Sequence, residues 1–351
     1  MKNNRLHKDF KLNGSAFSNL EELFVFSEQL DVSTRLFIKD WFSKSDNIKV
    51  QTSGSTGVPK TIHLKKEFMI NSAKATGTFF MLQEKTTALL CMSTNFIAGK
   101  MMLVRAFVLG WDLELVTPVS NPLRVATKKY DFAAMVPLQL QNSLSEIYRV
   151  SKLIVGGGVV SLDLEKKIQS VSTAIYATFG MTETITHIAA RKLNKNTSIN
   201  QEEKSFYHVL PNISISKDTR GCLVILAPNI SEETIVTNDV VEIVSDNAFK
   251  WLGRFDNVVN SGGIKLHPEL IERKLSKVLS QRFFVAGIPD ENLGEKLILI
   301  IEGAQFDFNL NSVLGISKFE KPKSIFFLPK FKETTNKKVH RDKTLHLLFN
   351  L

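Results

Sequence analysis

Cysteine is scarce. The 351 residues hold two, Cys91 and Cys222, each inside an apolar run. Both read as small buried hydrophobes in preference to a disulfide or a metal site. The seven His are scattered without metal-ligand spacing. No run of about 18 apolar residues occurs; the best candidate, 96–111, is broken by Lys100 and Arg105, so no membrane span is expected. The opening MKNNRLHKDFKLNGS has no apolar signal-peptide core, and a cytoplasmic protein is the expectation. Acidic residues are the minority: 35 Asp and Glu against 45 Lys and Arg give a net charge of +10, which favours anionic partners. Nucleic acid is one reading. The basic residues are spread along the chain, however, and no nucleic-acid motif is visible. A polyanionic small molecule satisfies the charge equally well.

The length exceeds one ordinary core, so two or three domains are expected. Residues 18–44 carry apolar positions at helical spacing (Leu20, Leu23, Phe24, Leu36, Phe37, Trp41), read as core. IKV (48–50) and TIHL (61–64) flank a polar loop like two strands. TALLCM, LELVTP, FAAMVP, KLIVGG and TAIYATF are strand-type runs alternating with helical segments 65–81, 98–109, 137–149 and 161–170. That rhythm predicts an α/β fold with a mainly parallel sheet. Between about 207 and 252 the chain is β-rich, with a hairpin turning near Thr219-Arg220-Gly221, and suggests a small barrel or sheet appended to the α/β body. After GRFDN (253–257) the pattern resets. HPELIERKLSKVL is an amphipathic helix with Pro268 near its start, and FFVAGIP, KLILIIEG and KSIFFLP are strand-like, so the last hundred residues form a compact α+β unit.

Five stretches carry candidate chemistry. QTSGSTGVPKT (51–61) resembles a Walker loop in spacing, but Pro59 stands where the second glycine belongs. Proline has neither the N–H nor the φ that a phosphate wrap needs there, so the Walker reading fails. What remains is a hydroxyl-rich turn: Thr52, Ser53, Ser55 and Thr56 can donate to phosphate, Gly54 and Gly57 permit close approach, and Lys60 brings charge; its plainer reading is a solvated hairpin loop. YATFGMTET (176–184) ends a strand-like run with a glycine turn, where open α/β sheets bind ligands. Thr182 can hold a phosphate oxygen and Glu183 a magnesium ion, or the two cap a helix. TND puts Asp239 in a turn, able to accept both hydroxyls of a ribose or to serve the turn alone. GRFDNVVNSGGIKLHPELIE combines Arg254 and Asp256 with a glycine turn before a helix. TTNKKVHR (334–341) holds Lys337 and Lys338, which otherwise read as a solvated tail.

In this order, the motifs make the chain resemble the adenylate-forming superfamily of acyl-CoA synthetases, luciferase-like enzymes and peptide-synthetase adenylation domains. TSGSTGVPK resembles its phosphate loop, FGMTE its adenine and magnesium motif, TND its T-G-D ribose motif, GRFDNVVNSGGIK its hinge and second-step loop, and TTNKKVHR its T-x-x-G-K-I-x-R. SGGIKLHPE, VPLQLQ and AGKMMLVRA look most like the o-succinylbenzoate–CoA ligases of menaquinone biosynthesis. The chain departs from the pattern at Asn238 and Lys337, which replace glycines, at Phe179, which replaces a common tyrosine, and in the short segment before the phosphate loop.

The resemblance implies an adenylation domain over 1–253 (β-rich part about 200–253), a hinge at 254–257 around Asp256, and a mobile C-terminal domain over 258–351. It implies ATP, Mg2+ and coenzyme A as reactants and cofactor, a small carboxylic acid as partner, and no nucleic acid, and leaves a homodimer open. Lys338 would bridge the reacting groups, with Thr182 and Glu183 beside it and Glu183 on the metal. Gly156, Gly157, Gly158, Phe179, Gly180 and Met181 would border adenine, Asp239 and Arg254 hold the ribose, and Ser261, Gly262, Gly263 and Lys265 serve the coenzyme A step. For the acid's second carboxylate, Lys100 and Arg105 are the candidate cations, with snorkelling from a helix end as the alternative. Ligation of another aromatic or medium-chain acid, delivery to a separate carrier protein, and a non-catalytic nucleotide-binding fold are the competing expectations.

Overall fold

The computed structural model of the chain describes residues 6–51, 61–194, 206–310, 313–333 and 339–349. A hairpin opens it, β1 (Lys11–Leu12) and β2 (Ser15–Ala16). Its turn, Asn13-Gly14, has φ of 49° and 82°, the left-handed pair that a two-residue hairpin needs and Asn-Gly supplies. The amphipathic stretch 18–44 is two helices, α1 (Leu20–Ser27) and α2 (Val32–Trp41). Asp31 separates them, its side chain accepting the Thr34 N–H as an N-cap. The break changes the phase of the apolar stripe: Phe37 and Trp41 are buried, but Leu36 is 57% exposed.

Strands β3 (Asn47–Gln51) and β4 (Thr61–Lys65) pair as an antiparallel hairpin with Gln51 opposite Thr61. The expected alternation follows: α3 (Lys66–Phe80), β5 (Thr87–Leu90), α4 (Ile97–Leu109), β6 (Asp112–Leu115), β7 (Tyr130–Met135), α5 (Pro137–Asn142), β8 (Val150–Val155), α6 (Leu162–Lys167) and β9 (Ala174–Gly180). All five apolar runs are strands. The helix read over 137–149 stops at Asn142. Next come β10 (His187–Lys192), β11 (Tyr207–Val209), β12 (Ser214–Lys217), β13 (Cys222–Leu226), β14 (Ile235–Ser245) and β15 (Ala248–Arg254), then β16 (Val259–Ser261), β17 (Ile264–Leu266), α7 (Pro268–Leu275), β18 (Phe283–Asp290), β19 (Gly294–Glu302), β20 (Ser324–Leu328) and α8 (Arg341–Phe349).

One sheet of 13 strands runs β12-β13-β14-β15-β11-β10-β9-β8-β7-β5-β6-β1-β2. From β1 to β9 its neighbours are parallel, as the βαβ rhythm requires. From β9 to β12 they are antiparallel. The β-rich stretch is thus a sheet, and it continues the α/β sheet rather than standing beside it. A second sheet, β17-β16-β19-β18 with β20 on β19, begins at Val259, after the first ends at Arg254. No helix among the described residues is long and apolar enough to cross a membrane. Both cysteines are free and buried, and burial pushes the Cys91 thiol up to about 12, as their reading as hydrophobes requires.

The opening helices are fixed by aromatic packing on α4. Phe107 is fully buried, with ring centroids 5.0 Å from Phe10, 5.1 Å from Phe42 and 6.5 Å from Trp41. Phe107→Ala should cost about 3–5 kcal/mol of stability through lost burial and a cavity, read as a lower midpoint in urea unfolding.

Candidate functional site

Strands β8 and β9 are parallel neighbours, with Val155 opposite Ala177. Gly156–Gly158 therefore leave β8, and Met181–Thr184 leave β9, at the same carboxyl edge. Two glycines are needed for this approach. A Cβ on Gly156 would lie 2.7 Å from Thr178 Oγ1, and one on Gly180 would lie 2.1 Å from the Thr186 carbonyl oxygen. The turn after β9 is tied by Thr184, which is fully buried: its Oγ1 accepts the Met181 N–H at 3.0 Å and lies 2.7 Å from the Thr186 oxygen. Ile185, buried and β-branched, has φ of +65°, a costly conformation held by these ties. Thr182 is half-buried and Glu183 exposed at the tip. The tie is made by Thr184, not by a Thr182–Glu183 capping pair. Phe179 lays its ring against Tyr207 at 5.8 Å and Phe249 at 5.2 Å, so it is anchored in the antiparallel half of the sheet.

Arg105 lies beneath this turn, 2% exposed. Its Nε donates to Thr76 Oγ1 at 3.3 Å and one terminal nitrogen to Thr186 Oγ1 at 3.2 Å. Burial lowers its pKa to about 10, leaving it charged at neutral pH, and no carboxylate partners it among the described residues. Burial, and next the nearby Arg105 charge, push the His187 imidazole well below its usual range. Ser72 and His187, which contact Thr186 and Thr76 respectively, also line a cavity of about 170 Å³ walled by Asn71, Pro211 and Asn229. Lys100 is elsewhere: its Nζ sits 4.9 Å above the Phe37 ring. The two candidate cations lie on different sides of α4 and do not share one pocket.

Thr237-Asn238-Asp239 is not a turn. It lies inside β14, with Asp239 opposite Arg254 of β15. Asp239 is 8% exposed; its Oδ1 accepts the Trp251 indole N–H at 2.8 Å, and Arg254 approaches its Oδ2 at 3.8 Å. Arg254 also donates to Asp256 Oδ2 at 2.7 Å, so Asp239, Arg254 and Asp256 form one group. Asn238 has no positive φ, so the strand accepts it without strain. Gly262 and Gly263, at φ of +58° and +80°, form the two-residue turn of a hairpin in which Ser261 faces Ile264; Lys265 is exposed. The glycine turn thus joins two strands, and the helix begins after the second. Thr52, Ser53, Gly54, Ser55, Thr56, Gly57, Lys60 and Lys338 lie outside the described residues.

Residues 35–215 match the family model described as AMP-binding enzyme. The chain belongs to the AMP-binding enzyme family. It is 35% identical to an acyl-CoA synthetase (AMP-forming)/AMP-acid ligase II-like protein from Dyadobacter fermentans, covering 90% of this chain and 93% of that one with a TM-score of 0.61. The fold is shared with the o-succinylbenzoate coenzyme A synthetase of Bacillus subtilis solved with ATP and magnesium ion, at 18% identity and a TM-score of 0.73 over 85% of this chain and 69% of that one. Among curated proteins it is similar to the 2-succinylbenzoate–CoA ligases of Haemophilus influenzae (21% identity; 84% and 65% of the two chains) and Bacillus cytotoxicus (25%; 89% and 72%). It spans about two thirds of the length of these curated relatives.

Two residues escaped the sequence reading. Thr184 looks like any hydroxyl beside a motif, and only its burial reveals the tie. Arg341, the last residue of TTNKKVHR, donates to Glu272 at 2.9 Å and to the Val285 carbonyl at 3.1 Å, fixing the chain just beyond Lys338. The described residues also gather His7, Asp9 and Glu84, which no local spacing announces. His7 Nδ1 already accepts the Asp9 N–H at 3.2 Å and Lys85 lies 3.7 Å from Asp9, an ion-pair cluster.

Burial raises the Asp239 carboxyl above its usual range, against the pull of Trp251 and Arg254. The folded protein therefore holds this proton at a pH where the unfolded chain has lost it. Stability falls as pH rises from the unfolded value to the raised folded one. Asp239→Asn, which keeps the acceptor for Trp251, should melt at or above the parent temperature at pH 7, with the advantage gone near pH ~4; thermal melts at the two pH values check this.

Proposed function

We propose that the chain is an ATP-dependent acid–CoA ligase that forms an acyl-adenylate and then an acyl-CoA thioester, with o-succinylbenzoate as the acid. Arg105 carries the choice of acid. A buried guanidinium answered, among the described residues, only by hydroxyls and a thioether is costly unless an anion joins it. o-Succinylbenzoate has two carboxylates, one to react and one to remain, and the second would meet Arg105 beneath the Gly180–Thr184 turn. The likeness to two succinylbenzoate ligases supports the same reading.

In the first step the reacting carboxylate attacks the α-phosphorus in line, the bond to the bridging oxygen breaks, and pyrophosphate leaves. Such transfers need positioning and charge stabilisation more than covalent help from the protein. Thr52, Ser53, Gly54, Ser55, Thr56, Gly57 and Lys60, in the sequence between β3 and β4, hold the departing phosphates. Gly157, Gly158, Phe179, Gly180 and Met181 border the base. Asp239 takes ribose hydroxyls on Oδ2, since Oδ1 serves Trp251, with Arg254 beside it. Magnesium fits the tip of the β9 turn, where Glu183 offers a carboxylate and Thr182 a hydroxyl, both hard oxygen donors; when bound it neutralises phosphate charge. Lys338 stabilises the charge that builds between carboxylate and α-phosphate, a contribution of about 10²–10³ in rate.

In the second step the coenzyme A thiol attacks the acyl carbon and AMP leaves. The unit from Val259 onward turns about Asp256, withdrawing Lys338 and presenting Ser261, Gly262, Gly263 and Lys265 to the pantetheine arm.

A pyrophosphate-release panel of mono- and dicarboxylic acids with coenzyme A tests the whole reading: o-succinylbenzoate should stand well above benzoate, and no release with any acid would end the ligase reading. Arg105→Met should raise KM for o-succinylbenzoate about 10–100-fold with KM for ATP unchanged, while the melting temperature holds or rises, because an apolar side chain replaces a buried charge. Lys338→Ala should abolish ATP–pyrophosphate exchange and spare thioester formation from supplied acyl-adenylate; equal loss of both steps would remove Lys338 from the first alone.

A further inference from the structure

We propose that Arg220 and Asn238 are positioning residues for the pivot, latching residues 255–257 to the β12–β13 turn and setting the resting balance of orientations between the two sheets. Arg220 is itself held, its backbone N–H and Nε donating to Asp218 at 2.9 and 2.8 Å. From there its guanidinium donates to Asn238 Oδ1 at 2.9 Å and to the Thr237 carbonyl at 3.1 Å, and lies 5.1 Å from the centre of the Phe255 ring. The Asn238 amide donates onward to Asp256 Oδ1 at 3.1 Å, while Arg254 takes Asp256 Oδ2 at 2.7 Å. Both carboxylate oxygens of the pivot are therefore engaged, one of them by a chain of bonds running back to a turn of the first sheet.

Asn238 stands where the T-G-D motif has glycine. Glycine has no amide to reach Asp256 and no oxygen to receive Arg220, so the motif as usually written cannot make this connection. Arginine suits the other end, since its planar fork serves three acceptors and a ring face at once and lysine's single ammonium cannot. The groups are partly exposed: Arg220 36%, Arg254 39% and Asp256 54% at the side chain. Bonds so placed are individually weak, which suits a latch that opens during each turnover. A second contact crosses the same junction, where Glu165 on α6 meets Arg191 of β10 at 2.7 Å and Arg273 of α7 at 3.3 Å.

The functional meaning of the latch rests on the two-step ligase reading, but its geometry does not, and the test separates them. Spin labels go on the full-length chain at Tyr148→Cys and Leu314→Cys, positions 62% and 85% exposed, the native cysteines being buried. Pulsed electron–electron resonance should show one dominant distance in the parent. Asn238→Gly and Arg220→Ala should each raise the minor-distance population at least fivefold, and the double variant no further than the larger single effect. Unchanged distributions in both variants overturn the latch. Should Arg220→Ala fail to fold, Asn238→Gly, which removes one side-chain amide, decides alone. The ratio of ATP–pyrophosphate exchange to thioester formation should shift in the same direction in both variants. Shifted distances in a protein silent in both half-reactions defeat the ligase reading and leave the latch; unshifted distances in an active protein do the reverse.

Discussion

At Gly180 the end of β9 passes so close to β10 that a methyl group would sit 2.1 Å from the Thr186 carbonyl oxygen and 2.5 Å from the His187 Cα. Much of the site follows from this approach. It is where the sheet changes from parallel to antiparallel, so the strands that bring Phe249 and Asp239 follow from it. It forces the chain into the compact turn that Thr184 ties, which leaves Glu183 at the exposed tip. It also sets Thr186 against the Arg105 guanidinium, so the turn proposed for the nucleotide and the cation proposed for the acid share one short segment.

Two charges at the site oppose folding. Arg105 is buried with its pKa depressed, and Asp239 is buried with its pKa raised; in each case desolvation is the first cause. A sequence chosen for stability alone would place apolar groups at both positions. Their presence is explained by what they are proposed to hold, a spectator carboxylate and the ribose hydroxyls. An isolated surface pair such as Lys167–Asp163 carries no such information, because exposed ion pairs cost and contribute little.

The period of the chain was a good guide where burial repeats along it. Every strand run from TALLCM to TAIYATF is a strand because residues buried on both sheet faces must be apolar throughout. The motifs after β8 and β9 were legible for the same reason, being the glycine turns that end such runs. The hairpin at Asn13-Gly14 was equally legible and passed unread. Sequence spacing failed where the answer depended on a distant partner. Asp239 looks like a turn residue because Thr-Asn-Asp is turn-rich, yet its strand partner Arg254 is fifteen residues on. Lys100 and Arg105 look equivalent in an apolar helix, but their angular separation sends one to Phe37 and the other to Thr186. Nothing local distinguishes them. Asn238 reads as a lost glycine, whereas its side chain meets Arg220 and Asp256 across three segments.

Arg254 joins the proposed ribose contact to the proposed pivot. Its two terminal nitrogens address different carboxylates, Asp256 at 2.7 Å and Asp239 at 3.8 Å. Only the first is a hydrogen bond by distance; the second is a charge interaction with an oxygen that a ribose would claim. A sugar bound to Asp239 Oδ2 therefore competes with Arg254 on one side and leaves it wholly to Asp256 on the other. On the proposed reading a single guanidinium would couple the nucleotide to the pivot, and by linkage that coupling would be reciprocal: an orientation that strengthens the Arg254–Asp256 bond would also free Asp239 for the sugar.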